Sequence, residues 1–427
     1  MDNARAVALS VLNKCASAEQ YSNLALDTAL RRSELNDADR GLLTALVYGC
    51  IERMLTLDHW ISRLSSRPVE EIELSTRNLL RIGLYQLAFL DRIPDHAAVN
   101  ETVSLAPKKT KGFVNAILRA FLRADKKIPL PRREEDLVSH LSVKYSFSPS
   151  VCRRFLEDFG EERTESLLAA FCKQPPVDLR VNTLLTTSSE LMERLNAAGA
   201  KAAFTSESPV GITVSGMPVT ALPGFEEGLF FVQDEASQLC VEALDAKAGM
   251  TLLDVCACPG SKSFGAAIDM KNTGRVISCD LHGNKLSLVR SGAERLGISI
   301  IETVQRDARD YNPEWDSIAD RVLCDVPCSG FGVFAKKPEL RYKDAEKCAG
   351  LPKIQREILE NACRYLKNGG ILVYSTCTVL PAENEGNVND FLASHPEFSC
   401  LRMRTLYPDT DASDGFFFAV LKKTTID

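Results

Sequence analysis

Apolar residues recur at three- and four-residue steps through the first third of the chain, in 7–12, 42–51, 79–90 and 114–122. That spacing lays one apolar stripe along each of several α-helices. Asn36 and Asp37 ahead of a helix-forming run, and Pro94-Asp95 behind one, supply breaks between them. The pattern predicts an all-α domain over residues 1–125. Residues 124–131 read as a basic, proline-containing linker, and a further helical stretch runs from about 134 to 172, closed by Pro175-Pro176.

Past that pair the period changes. Strand-like runs at 177–181, 202–205 and 211–214, with a helix at 188–198, make a small α+β unit over 173–228. From 229 to 427 short apolar runs alternate with helices: strands at 251–255, 275–280, 300–304, 321–326 and 371–375, helices at 261–269, 285–296, 354–366 and 383–393. Such alternation predicts a mostly parallel, Rossmann-like α/β sheet covered on both faces, with ligands beyond the carboxyl ends of its strands.

A chain of 427 residues exceeds one ordinary core, which agrees with several domains. No apolar run reaches the roughly 18 residues of a membrane span, and the first residues, with Asp2, carry no cleavage-type signal, so a cytoplasmic protein without a membrane partner is expected. Fourteen Cys in no regular spacing suit a reducing compartment. The net charge of −6 conceals a segregation: residues 1–133 hold 20 Lys and Arg against 15 Asp and Glu, a net +5, which leaves −11 for the rest. Nine basic residues and one acid, Asp125, fall between Lys108 and Arg133, enough to neutralise several phosphates if they are not simply a solvated helical face.

The first strand of the alternating region runs into Asp254-Val-Cys256-Ala257-Cys258-Pro259-Gly260-Ser261-Lys262. Small residues there allow close backbone approach, and the helix beyond offers free N–H donors. Asp280 ends the second strand, Asp307 follows the third and Asp325 ends the fourth, where a carboxylate can accept hydrogen bonds from ribose hydroxyls or an adenine amino group. Neither a phosphate-binding G-x-x-x-x-G-K-[ST] loop nor G-x-G-x-x-G is present. A nucleoside without phosphates, S-adenosyl-L-methionine, fits this pattern. The Cys256-x-Cys258 pair lacks a second pair or His partners, and no metal is expected.

Asp325-Val-Pro327-Cys328-Ser329-Gly330 follows one strand and Ser375-Thr376-Cys377-Thr378 the next, so adjacent strand ends place two thiols over one crevice. Buried small hydrophobes are the commoner fate of a free Cys. The chemistry that requires a cysteine here is methylation of cytosine C5, a weak nucleophile until a thiolate adds to C6 and leaves an enamine. An acid near N3 assists that addition.

DVPCSG and STCTVLPAENE resemble the two cysteine motifs of the RNA cytosine-5 methyltransferases of the Nol1/Nop2/Sun family, and DVCACPGSKS resembles their first cofactor motif. RVNTL, VQDEASQL and DGFFFAVLKK also look like family sequence. PDHAAVNETVSLA and KGFVNAILRAFL are similar to the NusB-like RNA-binding domain of the branch that acts on 16S ribosomal RNA, so the likeness covers nearly the whole chain. It implies that Cys377 is the nucleophile, that Cys328 assists release of the methylated base and that Asp325 holds the cytosine. It further implies that Cys256, Ala257, Cys258, Pro259, Gly260, Ser261 and Lys262, with Asp280, Asp307 and Asp325, line the S-adenosyl-L-methionine pocket. The expected partner is 16S ribosomal RNA or a small-subunit assembly intermediate, met by a monomer. Two other readings compete: an RNA-binding factor without activity, disfavoured by the presence of both motif cysteines, and a DNA cytosine methyltransferase, in which Cys328 would attack.

Overall fold

The computed structural model describes residues 3–18, 22–411 and 413–424; Asp2 lies outside them. The chain divides into two compact units, Met1–Cys172 with Lys337–Ala345, and Lys173–Lys336 with Glu346–Asp427.

The first unit is helical: α1 (Ala4–Ala18), α2 (Ser22–Arg32), α3 (Asp37–Glu52), α4 (Met54–Leu64), α5 (Leu74–Phe89), α6 (Asp95–Leu105), α7 (Lys111–Arg123), α8 (Leu137–Tyr145) and α9 (Pro149–Phe171). The predicted breaks are its caps. Asn36 accepts the Asp39 amide at 2.9 Å to start α3, and α6 begins directly after Pro94. Leu43, Leu46 and Val47 from α3, Leu80 and Leu84 from α5, and Val114, Leu118 and Phe121 from α7 are fully buried, each contributing about 1.5–3 kcal/mol. Gly83 lets α5 and α7 approach, since a Cβ there would lie 2.7 Å from Leu118.

The single helical stretch expected over 134–172 is two helices. Ser146, left-handed at φ 62°, ends α8, and Ser148 caps α9 by accepting the Val151 amide at 3.2 Å. Nothing in the sequence pointed to Lys337–Ala345 as part of this unit. Arg341 is 1% exposed, donating to Phe171 O at 2.7 Å and Glu52 O at 3.1 Å, with its guanidinium over the Phe147 ring. The Tyr342 hydroxyl donates to Ile51 O and accepts the Met54 amide at 3.1 Å.

The second unit begins with a four-stranded antiparallel sheet in the order β2-β3-β1-β4: β1 (Val177–Val181), β2 (Lys201–Phe204), β3 (Gly211–Ser215) and β4 (Phe230–Val232). Its helix α10 (Ser188–Ala197) carries a reciprocal Thr187–Glu190 capping box. After α11 (Glu235–Ala243) comes a seven-stranded sheet in the order β10-β11-β9-β8-β5-β6-β7. β5 (Thr251–Asp254), β6 (Arg275–Asp280), β7 (Ile301–Gln305), β8 (Ala319–Asp325) and β9 (Leu366–Thr376) are parallel, whereas β10 (Phe398–Leu406) and β11 (Phe416–Lys423) pair antiparallel at one edge. Helices α12 (Ser261–Asp269), α13 (Leu286–Arg295), α14 (Leu351–Ala362) and α15 (Glu385–Ser394) complete the unit. The predicted Rossmann-like fold is present with two strands more than the pattern suggested. Strand order reverses between β5 and β8, the switch point beyond which such sheets bind ligands.

Candidate active site

Five loops leave the carboxyl ends of the parallel strands. After β5, Asp254 is 1% exposed and burial pushes its carboxyl up to about 7, opposed by the Ser263 hydroxyl that donates to it at 2.6 Å. It ties α12 to the sheet rather than facing a ligand. The Cys256–Lys262 loop is pinned by Ala257 N–H to Cys279 O (2.7 Å), and Cys258 N–H points to Asp280 Oδ2 at 3.4 Å. Gly260, at φ 112°, takes a left-handed conformation into α12, whose first turn has no side-chain cap. Burial raises the Cys256 thiol well above its ordinary range and, with Asp280 beside it, Cys258 to about 12, so both stay protonated.

Asp280 ends β6 and accepts the His282 amide at 2.8 Å. Asp307, after β7, has both oxygens engaged by Arg309, the closest at 2.6 Å, which holds its carboxyl below the usual range. The three acids do not sit on consecutive neighbours: β5 lies between β8, which carries Asp325, and β6, which carries Asp280. Asp280 and Asp307 flank one side of the cofactor-motif loop and Asp325 the other. A carboxylate, a glycine-turned loop and an uncapped helix start match the donor and acceptor needs of an adenosine ligand with an amino-acid tail.

Asp325 ends β8 as an acceptor between two donors, Lys262 Nζ to Oδ2 at 2.7 Å and Ser375 Oγ to Oδ1 at 2.8 Å. Lys262 also lies 5.1 Å from the Phe416 ring centre. Burial works against its ammonium, but the Asp325 carboxylate raises it above its ordinary value, so it stays charged. Sequence had placed Lys262 only in the cofactor loop.

Cys328 and Cys377, on the loops after β8 and β9, stand with sulfurs 3.1 Å apart, both partly exposed. Hydrogen bonding to Cys377, then burial, raises the Cys328 thiol well above its ordinary range. The loops are tightly knit. Gly332 N–H donates to Cys377 O at 3.0 Å, and Gly415 N–H to Gly332 O at 2.9 Å; a Cβ on Gly332 would lie 1.8 Å from Gly415 O. Lys336 bonds Asp234 at 2.7 Å and Asp414 at 2.8 Å, a cluster that sequence reading missed although VQDEASQL and DGFFFAVLKK contain both acids. Among the described residues no group of three or more His, Cys, Asp or Glu is placed to hold a metal, and no helix is long and apolar enough to cross a membrane.

Three family profiles match the chain: 16S rRNA methyltransferase RsmB/F over residues 241–422, the NusB family over 2–123, and an RsmF/B-like ferredoxin-like domain over 151–220. A Bacillus subtilis protein described as "Probable ribosomal RNA small subunit methyltransferase B" is 34% identical, the alignment covering 98% of each chain. Ribosomal RNA small subunit methyltransferase B of Escherichia fergusonii is 31% identical over 92% of each. Among solved structures, that of PH0851 superposes with a TM-score of 0.82 at 26% identity, covering 99% of this chain and 98% of its own.

Proposed function

Since the chain belongs to the RsmB/F family of 16S rRNA methyltransferases, we propose that it methylates C5 of one cytosine in 16S ribosomal RNA through a covalent Cys377–C6 adduct. The coarser activity, small-subunit rRNA methylation dependent on S-adenosyl-L-methionine, comes with the family. What carries the finer reading is the pair of thiols 3.1 Å apart beside the Asp325–Lys262 ion pair.

Cys256–Lys262 would hold S-adenosyl-L-methionine, with Asp280 accepting from its ribose and Asp307 from its adenine, and the bound group would supply an electrophilic methyl. Cys377 adds to C6 of the base. The Lys262 ammonium beside it favours the thiolate, since opposite charges close together stabilise each other. Asp325, oriented by Ser375 and backed by Lys262, holds the cytosine and supports the proton that N3 gains. Cys328 serves the departure of the methylated base. Residues 1–125 bind RNA as a NusB-like domain, 126–172 are a linker and helical segment, 173–228 grip RNA and 229–427 catalyse, in a protein acting in the cytoplasm as a monomer.

The two thiols are separated by incubating full-length variants with a 16S rRNA transcript and S-adenosyl-L-methionine. Cys328→Ala should leave a protein–RNA conjugate on a denaturing gel, and Cys377→Ala and the double variant none. A conjugate with Cys377→Ala instead would reverse the roles, as in a DNA-type enzyme.

A further inference from the structure

The Glu383-Asn384 step lies near the end of the second cysteine motif and has no part in the chemistry above. Both side chains are buried, at 2% and 0% exposure. Asn384 holds the two sides of Cys377: its Oδ1 accepts the Thr376 hydroxyl at 2.5 Å and its Nδ2 donates to Thr378 O at 3.0 Å. Glu383 does the same for Cys328. Its Oε2 accepts the Ser329 amide at 3.0 Å and Gln355 Nε2 at 2.7 Å, and that Gln355 nitrogen also donates to Pro327 O at 3.0 Å. Tyr374 fixes the main chain of Glu383 by donating to its carbonyl at 2.6 Å.

A clamp of this kind needs only an acceptor, which a neutral glutamine would supply without the cost of burying a charge. Glu383 nevertheless presents a second oxygen, Oε1, that is buried with no hydrogen-bond partner among the described residues. The chemistry above assigns no group to take the proton of Cys328. Hydrogen bonding to Cys377, then burial, holds the Cys328 thiol protonated, and the charge of Glu383 works in the same direction until it is itself neutralised by a proton. A thiol that must remove a proton has first to lose its own.

Resting on the covalent reading above, we propose that Glu383 is a positioning residue that acts through Cys328, holding its loop and accepting its thiol proton so that Cys328 can take the C5 proton of the methylated adduct. The step balances. The Cys328 S–H proton passes to Glu383 Oε1, and the Cys328 thiolate takes the C5 proton. The C5–H electrons form C5=C6, and the C6–S electrons leave with Cys377 as thiolate. The overall reaction turns a cationic sulfonium into a neutral thioether and replaces C5–H by C5–CH3, so one proton must be shed. Glu383 carries that proton until water removes it.

The test uses the full chain, a 16S rRNA transcript and methyl-labelled S-adenosyl-L-methionine in single-turnover mode. Glu383→Gln keeps the acceptor but not the base. It should label the RNA within about twofold of the wild-type rate and release it about a hundredfold more slowly, the scale of a lost general base. A labelled conjugate should therefore persist on a denaturing gel, and Glu383→Asp should recover much of the release. Wild-type release in Glu383→Gln alongside a conjugate in Cys328→Ala overturns this proposal and leaves the covalent reading standing. No conjugate in Cys328→Ala overturns both. Should Glu383→Gln melt below the assay temperature, the pH profile of release in Glu383→Asp decides: its midpoint must move from the wild-type value, and an unmoved midpoint overturns the proposal.

Discussion

Removing both partners of the Lys262–Asp325 pair should cost far less than the sum of the two single removals. The side chains are 11% and 28% exposed and 2.7 Å apart. At an effective dielectric of about 20 the attraction is about 6 kcal/mol, much of which offsets the cost of desolvating both charges. Lys262→Met leaves a carboxylate that keeps only the Ser375 hydroxyl, and Asp325→Asn leaves an ammonium over the Phe416 ring. Each single change should lose about 3 kcal/mol, near the lower end for a broken buried pair, because Asp325 retains some water. The double variant should lose about 2–3 kcal/mol less than the sum. Urea unfolding can follow this in the second unit alone, because the chain has two Trp, one in each unit, and Trp60→Phe leaves Trp315 as the reporter. A double variant whose loss equals the sum of the singles within about 0.5 kcal/mol would refute the coupling.

Four of the nine basic residues between Lys108 and Arg133 already pair with carboxylates, namely Lys126, Lys127, Arg132 and Arg133. The salt dependence of RNA binding should therefore follow the others, and Lys108→Ala, Lys109→Ala and Lys111→Ala together should lower the log–log slope by about 2–3; an unchanged slope would remove this face from RNA binding. Asp280→Ala should weaken S-adenosyl-L-methionine by about 1–3 kcal/mol in titration calorimetry, and unaltered affinity in the folded variant would unseat Asp280 from the ribose. Asp254, near 7 when folded against about 3.9 unfolded, contributes stability that is present below about pH 4 and lost as pH rises through about 7. Asp254→Asn should abolish that slope, up to about 1.4 kcal/mol per pH unit, and denaturation across pH 4–8 showing the wild-type slope would contradict it.

What the sequence made legible depended on where each element buries its residues. The parallel strands, covered on both faces, read as short apolar runs, and their end residues Asp280, Asp325, Cys328 and Cys377 could be placed from the alternation alone. β10 escaped because four successive residues, Ser399 to Arg402, are exposed and leave no buried face to alternate, and β4 because three residues carry no period. The break at Ser146 was hidden by a left-handed serine where a glycine or proline would have marked it. Within the site, the Lys262–Asp325 contact joins residues 63 apart in the chain, which no local spacing predicts. Glu383 and Asn384 stood in plain view beside the second cysteine motif. Half of their hydrogen bonds run to the main chain of the cysteine loops, and main-chain partners leave no mark on composition.

The Lys337–Ala345 excursion has a consequence for how the protein is made. A polypeptide grows from its N-terminus at about 5–20 residues per second, so Cys172 is laid down about 10–30 seconds before Ala345. Throughout that interval the helical unit lacks Arg341 and Tyr342, and the carbonyls of Ile51, Glu52 and Phe171 lack the donors that will finally satisfy them. The first unit to emerge from the ribosome is thus completed only after most of the second has been made, and a nascent chain arrested before Arg341 would display a vacant slot at the seam between α3, α4 and α9.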